Sequence, residues 1–400
     1  MNKMSGNVSV IGQGYVGLPL AIACAKAGYT VTGIDTNELI VEKLSKGEST
    51  IEDIPGLALQ EVISTGNYSA SKEYKSIAKA DTVIVCVPTP LNSKNQPDLS
   101  YLLSAMNSLS KLVKEETLII VESTIAPETT RKIVFPLIQN QVEPLNTNFY
   151  LAFSPERIDP SNQEWNILNT PKLVAGIDEL SCELAFKFYS SFISNVIKCN
   201  SLEVAETAKL LENSFRFVNI SFVNQIAMFC NKLGIDVNDV INAASTKPYG
   251  FMPFFPSAGV GGHCIPVDPM YLSSKARDIG SALTFIDLAE QTNSEMPLYF
   301  AERAQNKLGD LRNKSILVVG VAYKPNISDV RETPAEPLIS ELRARGAQVV
   351  WHDNLVKEWN GEKSVALAEN YDLVILVTIH SNMDLGMLGV APVLDTRNSL

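Results

Sequence analysis

Two residue types that build metal centres and disulfide frameworks are scarce or scattered in this chain of 400 residues. Histidine occurs only three times, at His263, His352 and His380. The six cysteines are dispersed and form no C-x-x-C pair; they are Cys24, Cys86, Cys182, Cys199, Cys230 and Cys264. Zinc sites need clustered ligands and disulfide scaffolds need paired cysteines, so we expect neither. Free thiols are typical of a reducing compartment, which indicates a cytoplasmic protein.

Long apolar runs and an excess of positive charge are also missing. No run reaches the roughly 20 residues of a membrane span. Polar residues and regularly spaced glycines interrupt the apolar N-terminal stretch, so it is not interpreted as a signal peptide. The net charge of −11 disfavours a general nucleic-acid or anionic-membrane surface, although a local basic pocket remains compatible with it. We therefore expect neither nucleic acid nor a membrane as a partner.

What is present indicates a globular protein of two or three domains. Hydrophobic residues make up 46% of the chain and charged residues 19%. A chain of this length exceeds one ordinary hydrophobic core.

The first motif is a glycine turn between two short strands. The run Val8–Ile11 precedes GQGYVG, a helical pattern follows, and a second strand at 30–34 ends in Asp35. Gly12 suits the tight turn, Gly14 the approach of a pyrophosphate, and Gly17 close packing of helix on strand. Asp35 is placed to accept hydrogen bonds from a ribose and would repel a 2′-phosphate. The pattern therefore predicts an NAD site.

Three further strands, at 82–87, 118–121 and 150–153, end in polar residues. Ligands of open α/β sheets lie at the carboxyl ends of the strands, so Thr89 and Thr124 are expected at the cofactor. The alternative is that each threonine caps the next helix. Glu156 and Arg157 follow the third strand, as part of the site or as a plain surface ion pair.

A long helix is predicted over 201–233. Its apolar stripe steps by three and four, through Val204, Ala208, Leu211, Phe215, Val218, Phe222, Ile226, Phe229 and Leu233. Lys209, Asn213 and Arg216 share a second face about 100° away, which is either part of a site or a solvated polar edge. A helix this long suits a hub between two halves and an interface in an oligomer.

A glycine-rich loop, GVGGHCIPVDPMYL at 259–272, presents Cys264. Gly261 and Gly262 allow positive φ and close approach of other groups to the sulfur. The alternative is a buried core cysteine beside a tight turn. A short helix is expected over 236–250, and the proline- and aromatic-rich segment KPYGFMPFFPSAG leads from it to this loop. The segment is a rigid linker or an aromatic wall of a site.

After a helix near 283–308, the strand pattern of the first half returns, at 315–319, 348–351, 372–378 and 393–395. The glycine fingerprint is weaker there, and Lys324 and Arg397 stand at strand ends. Cations at these positions suit a second, phosphate-bearing ligand, whereas a single cation is more often a surface charge.

Together the motifs resemble the UDP-glucose/GDP-mannose dehydrogenase family over nearly the whole chain. The motifs that carry the resemblance are GQGYVG with Asp35, VPTP at 87–90, ESTIAPETT at 122–130, SPER at 154–157, AKLLENSFR at 208–216, GGHCIPVDP at 261–269, GVAYKPNISDVRETPA at 320–335 and DTRN at 395–398. The resemblance implies an α/β protein with two Rossmann-like, doubly wound parallel-sheet domains joined by a long central helix. The expected divisions are an NAD domain at 1–199, a helical dimerisation and catalytic-cysteine region at 200–300, and a UDP-sugar domain at 301–400.

The implied reaction is a four-electron oxidation of a sugar C6 alcohol to the carboxylate with two NAD+. The resemblance assigns Cys264 as the nucleophile that forms a thiohemiacetal and then a thioester. It assigns Lys209 to the developing oxyanion, with Asn213 assisting. Asp268 would activate water or tune the lysine, Glu156 would act in hydrolysis, and Thr124 would lie beside the reacting water.

The resemblance also implies the contacts with both ligands. The residues matching NAD contacts are Gly12, Gly14, Tyr15, Val16, Gly17, Asp35, Thr89, Thr124 and Arg331. Those matching sugar-nucleotide contacts are Arg157, Ile158, Lys209, Asn213, Arg216, Gly261, Tyr323, Lys324 and Arg397. No metal ligand is implied.

Two departures from UDP-glucose members indicate the branch that acts on UDP-N-acetylhexosamines. Pro160 replaces a second glutamate, and His263 replaces a serine before the nucleophile; we interpret His263 as a marker of the branch. The segment KPYGFMPFFP favours UDP-N-acetylglucosamine, since Tyr249, Gly250 and Phe251 lack the basic residues usual for UDP-N-acetylmannosamine. The alternatives are UDP-N-acetyl-D-mannosamine and, less favoured, UDP-glucose. Glu128, where the family often has glycine, has no functional explanation from sequence.

Two alternatives of other classes remain open at this point. A non-catalytic binding or sensing module would be free to lose Cys264, Lys209, Asp268 and Glu156, all of which are present. A two-electron 3-hydroxyacid dehydrogenase would share the NAD domain and a lysine but needs no cysteine.

Overall fold

The computed structural model describes residues 6–51, 54–143, 147–159, 162 and 164–397. The chain divides into two compact units, residues 1–211 and 212–400. The boundary falls within one long helix.

The first unit is an α/β unit built on one large sheet. Its strands are β1 (Asn7–Ile11), β2 (Thr30–Ile34), β3 (Tyr68–Ser71), β4 (Thr82–Val85), β5 (Thr117–Val121), β6 (Phe149–Phe153), β7 (Lys172–Gly176) and β8 (Val196–Lys198). Its helices are α1 (Gly17–Ala27), α2 (Glu38–Ser45), α3 (Gly56–Ser64), α4 (Ser100–Ser110), α5 (Phe135–Val142) and α6 (Glu179–Ser190). A 3₁₀ turn covers Tyr74–Lys79, and a π-helical turn at Thr130–Val134 precedes α5.

The eight strands follow the order β3-β2-β1-β4-β5-β6-β7-β8, and the described pairs are parallel except for β6 with β7. The central strands β4 and β5 are buried along their whole length, because helices cover both faces of a parallel sheet. One hydrophobic cluster packs α1, α3 and α6 on the sheet, and a second packs α4 and α5. The carboxyl ends of β1, β2, β4, β5 and β6 therefore share one edge.

Helix α7 (Leu202–Leu233) contains the boundary between the two units. Its buried positions include Leu202, Leu210 and Phe217, whereas the predicted apolar stripe is largely exposed. The exposed stripe residues are Val204, Leu211, Phe215, Phe222, Phe229 and Leu233. The apolar stripe is therefore not the face that packs within the chain.

The second unit carries a smaller parallel sheet of order β10-β9-β13-β14. Its strands are β9 (Ser315–Val319), β10 (Gln348–His352), β11 (Glu358–Trp359), β12 (Glu362–Lys363), β13 (Leu373–Leu376) and β14 (Val393–Asp395). Its helices after α7 are α8 (Val237–Ser245), α9 (Asp268–Asp278), α10 (Thr284–Leu308) and α11 (Ala335–Ala344). A short 3₁₀ turn covers Leu385–Leu388, and β11 with β12 forms a separate antiparallel ribbon.

The predicted fold class is confirmed: two parallel-sheet α/β units and a long central helix are present. Three predicted boundaries were too long. The strand expected at 82–87 ends at Val85, the one at 372–378 covers Leu373–Leu376, and the helix at 236–250 covers Val237–Ser245. In each case the sequence pattern continues past the last residue of the strand or helix into the turn that follows it. Among the described residues, no helix combines the length and apolar character needed to cross a membrane.

Candidate active site

The glycine turn after β1 is shaped by contacts that exclude side chains at two of its three glycines. Gly12 has φ of 90°, and a Cβ there would lie 2.5 Å from the Cys86 carbonyl oxygen. A Cβ on Gly17 would lie 1.8 Å from the Gly12 carbonyl oxygen. A Cβ on Gly14 would meet no protein atom within 4 Å. The turn is thus closed at its two ends and accessible at Gly14, just before the first turn of α1.

Asp35 follows β2 and lies beside this turn. Its Oδ2 accepts the Gln13 N–H at 2.9 Å, and its Oδ1 accepts the Asn37 N–H at 2.9 Å. Gln13 is buried, donates from Nε2 to the Val10 carbonyl at 2.9 Å, and accepts from Tyr68 Oη at 2.9 Å. Gln13 was not singled out from sequence, where the available signal was its position between the motif residues Gly12 and Gly14. The glycine turn and the carboxylate fit the diphosphate and ribose of a dinucleotide.

The loops after β4 and β5 are tied together beside the glycine turn. Ser123 Oγ donates to the Val87 carbonyl at 2.7 Å, and Thr89 and Thr124 are half-buried in these loops. The interpretation of both threonines as helix caps is wrong, since α4 begins at Ser100 and the π-helical turn at Thr130. Both threonines remain candidates for cofactor contact.

A carboxylate from α7 holds the loop that follows Thr124. Glu206 is buried and accepts the N–H groups of Glu128 at 2.7 Å and Thr130 at 2.9 Å. Burial raises the pKa of Glu206, although these hydrogen bonds oppose the shift. Glu128 has φ of 74°, a left-handed conformation that favours glycine. A glycine would adopt this conformation without the strain that a side chain adds.

Glu156 lies after β6 in a partly buried position. Its Oε1 accepts the N–H groups of Arg157 at 2.6 Å and Ile158 at 2.5 Å. Its Oε2 lies 3.5 Å from Nζ of buried Lys172, while Arg157 Nη1 donates to the Pro171 carbonyl at 2.7 Å. Glu156 is therefore part of a buried charge group and not only of a surface ion pair. Pro160 lies outside the described residues.

The polar face predicted on α7 is only partly solvated. Lys209 and Asn213 are each 8% exposed, whereas Arg216 is exposed. In the second unit, Asn213 Nδ2 donates to Asp268 Oδ2 at 2.6 Å. This bond connects α7 to the start of α9. Because Lys209 and Asn213 are both buried, the alternative of a solvated polar edge is wrong for these two residues.

The cysteine loop ends in a helix N-terminus. The Cys264 carbonyl accepts the N–H groups of Val267 at 3.2 Å and Asp268 at 2.8 Å, which leads directly into α9. Cys264 and His263 are half-buried, so the alternative of a fully buried core cysteine is wrong. Asp268 thus contacts both the Cys264 backbone and the Asn213 side chain.

The two glycines of this loop serve different purposes. Gly262 has φ of 89°, donates its N–H to the Arg331 carbonyl at 3.0 Å, and would carry a Cβ 2.6 Å from the Tyr323 ring. Gly261 does not have a positive φ, but a Cβ there would lie 2.6 Å from the Glu332 carbonyl. The cysteine loop is therefore packed directly on the segment that carries Tyr323 and Arg331.

The loop after β9 repeats the geometry of the first glycine turn. Gly320 has φ of 84° and donates to the His352 carbonyl at 2.8 Å, as Gly12 donates to the Ile34 carbonyl at 2.7 Å. A Cβ on Gly320 would lie 1.8 Å from the Thr378 carbonyl oxygen. Half-buried Tyr323 and Lys324 follow on this loop.

The remaining predicted cations occupy different environments. Arg397 is half-buried after β14, and burial lowers its pKa despite the nearby Asp395. Arg331 is more exposed, and its guanidinium pairs with Asp329 at 2.5 Å. Asn398 lies outside the described residues.

The predicted site residues form two groups, one in each unit. The first unit holds Gly12, Gly14, Tyr15, Val16, Gly17, Asp35, Thr89, Thr124, Glu156, Arg157, Ile158 and Lys209. The second unit holds Asn213, Arg216, Gly261, Cys264, Asp268, Tyr323, Lys324, Arg331 and Arg397. Sequence reasoning missed the residues that hold these groups in place, chiefly Gln13, Glu206, Lys172, Asp353 and His380.

Comparison with known families gives three matches along the chain, all to models of the UDP-glucose/GDP-mannose dehydrogenase family. The NAD binding domain matches residues 6–193, the central domain 203–295 and the UDP binding domain 317–400.

Individual relatives are similar over most of their length. A UDP-N-acetyl-D-mannosamine dehydrogenase of Methanococcus maripaludis is 36% identical over 354 residues, covering 86% of this chain and 79% of the relative. A UDP-N-acetyl-D-glucosamine 6-dehydrogenase of Pseudomonas aeruginosa is 33% identical over 387 residues, covering 94% and 90%. The structure of a UDP-D-ManNAc dehydrogenase from Pyrococcus horikoshii superposes with a TM-score of 0.90 at 31% identity, covering 98% of this chain and 95% of that one.

Proposed function

Because the chain belongs to the UDP-glucose/GDP-mannose dehydrogenase family, we propose that it oxidises the C6 alcohol of a UDP-N-acetylhexosamine to the carboxylate. The coarser statement, an NAD-dependent UDP-sugar dehydrogenase, follows from the family and its named relatives. The observation that carries the proposal is the group formed by Cys264, Asp268 and Asn213. The Asp268 backbone N–H donates to the Cys264 carbonyl, and the Asp268 carboxylate accepts the Asn213 amide, so the three proposed catalytic residues lie on one hydrogen-bonded segment.

NAD would be held by the first unit. The N–H groups at the glycine turn and the start of α1 suit the diphosphate, and Asp35 suits the ribose. Thr89 and Thr124, on the next two loops, are proposed to contact the nicotinamide half, and Tyr15, Val16 and Arg331 are proposed to complete the contacts. When bound, NAD supplies the acceptor for the hydride lost in each oxidation.

Cys264 is proposed to carry the covalent chemistry. Its thiolate adds to the C6 aldehyde to form a thiohemiacetal, which becomes a thioester when the second hydride leaves. Water then cleaves the C–S bond, releasing the carboxylate and the thiol. Overall the alcohol, one water and two NAD+ give the carboxylate, two NADH and three protons.

Four other residues are proposed to assist these steps. Lys209 is a buried cation suited to stabilising the oxyanion that develops at C6, with Asn213 donating beside it. Asp268 and Glu156 are carboxylates suited to orient or deprotonate water. The position of Asp268, fixed by two hydrogen bonds, is consistent with this role.

The sugar nucleotide is proposed to bind through the second unit. Tyr323 and Lys324 follow the glycine turn after β9, where a mononucleotide of a Rossmann-like sheet is expected. The burial of Arg397 is only partly offset by the nearby Asp395 carboxylate, and a diphosphate would offset more of that cost. Arg157, Ile158, Arg216 and Gly261 are proposed to complete the contacts.

Two epimers are candidates for the sugar. The segment 247–256 favours UDP-N-acetylglucosamine, because Tyr249, Gly250 and Phe251 do not supply the histidine or arginine usual for the mannosamine enzymes. The similarity to mannosamine dehydrogenases of Methanococcus maripaludis and Pyrococcus horikoshii favours UDP-N-acetylmannosamine. UDP-glucose is a less favoured third candidate.

We also propose a homodimer through α7 and the three divisions 1–199, 200–300 and 301–400. The exposed stripe of α7 supports the dimer, since large contiguous apolar patches on one chain usually mark an interface. The family matches at 6–193, 203–295 and 317–400 support the divisions.

The test of the activity is the amount of NADH formed per mole of limiting sugar nucleotide. The substrates to compare are UDP-GlcNAc, UDP-ManNAc, UDP-glucose, UDP-galactose and GDP-mannose. We expect two NADH with one UDP-N-acetylhexosamine, and the substrate that gives them identifies the epimer. One NADH per sugar would mean that the thioester role of Cys264 is wrong, and none with any substrate would sink the proposed activity.

Replacing the nucleophile tests the same chemistry from the protein side. Cys264→Ala should lose turnover to the carboxylate, because no thiohemiacetal can form. Cys182→Ala is the matched control, since Cys182 is another half-buried cysteine and lies on α6. Full activity in Cys264→Ala would favour a two-electron hydroxyacid dehydrogenase, and no NADH from the unmodified protein would favour a binding module.

A further inference from the structure

A buried carboxylate and a buried histidine lie behind the loop that is proposed to bind the sugar nucleotide. Asp353 follows β10 and His380 follows β13, and the side chains of both are fully buried. His380 Nε2 lies 3.0 Å from Asp353 Oδ1 and 3.1 Å from Oδ2. Neither residue was selected from the sequence motifs.

The pair holds the loop Val321–Asn326 at both ends. Asp353 Oδ2 accepts the N–H groups of Val321 at 2.9 Å and Ala322 at 3.2 Å. At the other end, His380 Nδ1 accepts the Asn326 N–H at 2.7 Å. Asn326 itself has φ of 64°, a left-handed conformation that asparagine adopts more readily than most residues with a side chain.

These hydrogen bonds specify the state of the imidazole. Because Nδ1 accepts from a backbone N–H, the ring proton is on Nε2, which donates to Asp353. Asp353 Oδ1 also accepts the N–H groups of Leu355 at 2.9 Å and Val356 at 3.0 Å. All the polar atoms of the pair are thus engaged with the protein, and none is directed to a ligand.

Asp353 stands where Asp35 stands in the first unit. Each follows the second strand of a β–glycine turn–β unit, and each accepts an N–H from the residue after the motif glycine, Gln13 for Asp35 and Val321 for Asp353. Asp35 is only half-buried, whereas Asp353 is enclosed by β13 and its following loop. The carboxylate that suits a dinucleotide ribose in the first unit is therefore used internally in the second.

We propose that Asp353 and His380 are positioning residues for the UDP site: they hold the loop Val321–Asn326 so that Tyr323 and Lys324 present their side chains to the nucleotide. The inference rests on the proposed function, in which this loop binds UDP. It also explains why the second unit keeps the glycine turn although Asp353 is not accessible to a dinucleotide ribose. The pair acts through the loop and does not touch the nucleotide.

Calorimetric titration of the full chain with UDP tests the pair without requiring catalysis. His380→Leu removes both contacts and should weaken UDP binding about tenfold or more, because a buried backbone N–H loses its acceptor. His380→Asn retains an acceptor near the Nδ1 position, whereas His380→Gln retains a donor near Nε2. We expect His380→Asn to bind UDP more tightly than His380→Gln, since the Nδ1 contact holds the loop.

The matched control is His352→Asn, because His352 lies one residue before Asp353 and its ring bonds only the Val365 carbonyl at 2.6 Å among the described contacts. UDP affinity should be unchanged in this variant, and NAD affinity unchanged in all variants. A double-mutant cycle between His380→Leu and Lys324→Met should be non-additive, because both changes act through one loop.

The possible results separate the two proposals. Failure of the unmodified chain to bind UDP would overturn the proposed function and the inference that rests on it. If the unmodified chain binds UDP, the inference alone is overturned by either of two results. One is that the three His380 variants bind UDP with the same affinity as one another, and the other is that the two substitutions of the cycle have strictly additive effects. A variant that does not fold is identified by its circular dichroism, and the comparison of His380→Asn with His380→Gln then decides.

Discussion

Lys172 shows how much a single buried charge depends on its partner. Its Nζ donates to Glu122 Oε2 at 2.6 Å and lies 3.5 Å from Glu156 Oε2, and Tyr189 Oη donates to the other oxygen of Glu122. Burial alone would lower the pKa of Lys172, but the carboxylates of Glu122 and Glu156 raise it above its usual value. The lysine is therefore charged in the folded state and balances two carboxylates.

Removing only the lysine should be strongly destabilising. Lys172→Met leaves Glu122 buried and uncompensated, which costs about 3–5 kcal/mol in comparable ion pairs. The double variant Lys172→Met with Glu122→Gln removes both charges of the closer pair and should recover part of that free energy of unfolding, since the remaining Glu156 carboxylate still accepts two backbone N–H groups. The measurement is urea unfolding followed by circular dichroism.

The exposed pair Lys198–Glu183 supplies the control for this experiment. Lys198→Met should change the free energy of unfolding far less than Lys172→Met, because an exposed ion pair contributes little. Equal losses in the single and double Lys172 variants would show that Glu122 does not depend on Lys172 for its charge balance.

At the scale of single residues, sequence could identify motif positions but not the residues that support them. Gly12, Asp35 and Cys264 are recognisable because each belongs to a short local pattern. Glu206 supports the loop at Glu128 from a position 78 residues later in the chain. A short sequence motif cannot reveal a contact between residues so far apart in the chain. The left-handed backbone of Glu128 is likewise a result of tertiary contacts that override the preference of glutamate.

At the scale of elements, strands and helices were predictable where periodicity was long. β2, β9 and β14 have the predicted bounds, and α7 differs from its prediction by one residue at its start. The antiparallel addition of β7 was not predicted, since pairing direction depends on the path of the chain and not on the strand pattern. The face that α7 buries was also not predictable, because an apolar stripe suits a partner chain as well as its own core.

The stability that Asp353 gives to the turn between β9 and Asn326 should depend on pH. Burial on its own would raise the pKa of Asp353, but hydrogen bonds with His380 and with the Val356 and Leu355 N–H groups outweigh it and lower the pKa to about 2. A lowered folded-state pKa stabilises the fold above the unfolded value of about 3.9 and loses that contribution as pH falls toward 2. The contribution at neutral pH is on the order of 2 kcal/mol.

Asp353→Asn should therefore unfold more easily than the unmodified chain at pH 7. The difference in free energy of unfolding between the two proteins should narrow as the pH falls from about 4 to 2. Over this range Asp353 becomes protonated and therefore uncharged, like the asparagine that replaces it. Urea unfolding at a series of pH values measures this. A constant difference across that range would show that the carboxylate charge of Asp353 does not stabilise the loop.

At the scale of the whole molecule, the apolar stripe of α7 is a surface that the single chain leaves exposed to solvent. Six large apolar side chains along one helix face are exposed: Val204, Leu211, Phe215, Phe222, Phe229 and Leu233. Burying such a face against a second copy gains about 25 cal/mol for each Å² of apolar surface. Two copies of the same helix can satisfy each other, because a twofold axis places one patch against itself.

Placing a charge in this stripe should separate the proposed dimer. Phe222 and Phe229 are one heptad apart and are 61% and 58% exposed, so aspartate at either position is tolerated in a monomer but would be desolvated in a dimer. Sedimentation velocity should give a dimer for the unmodified chain and a monomer for Phe222→Asp combined with Phe229→Asp, with unchanged circular dichroism. Leu288→Asp on α10 is the control, because Leu288 is 51% exposed on another long helix and should leave the dimer intact. A dimer that survives the double substitution would place the interface away from α7, and the apolar stripe would then need a different partner to explain its exposure.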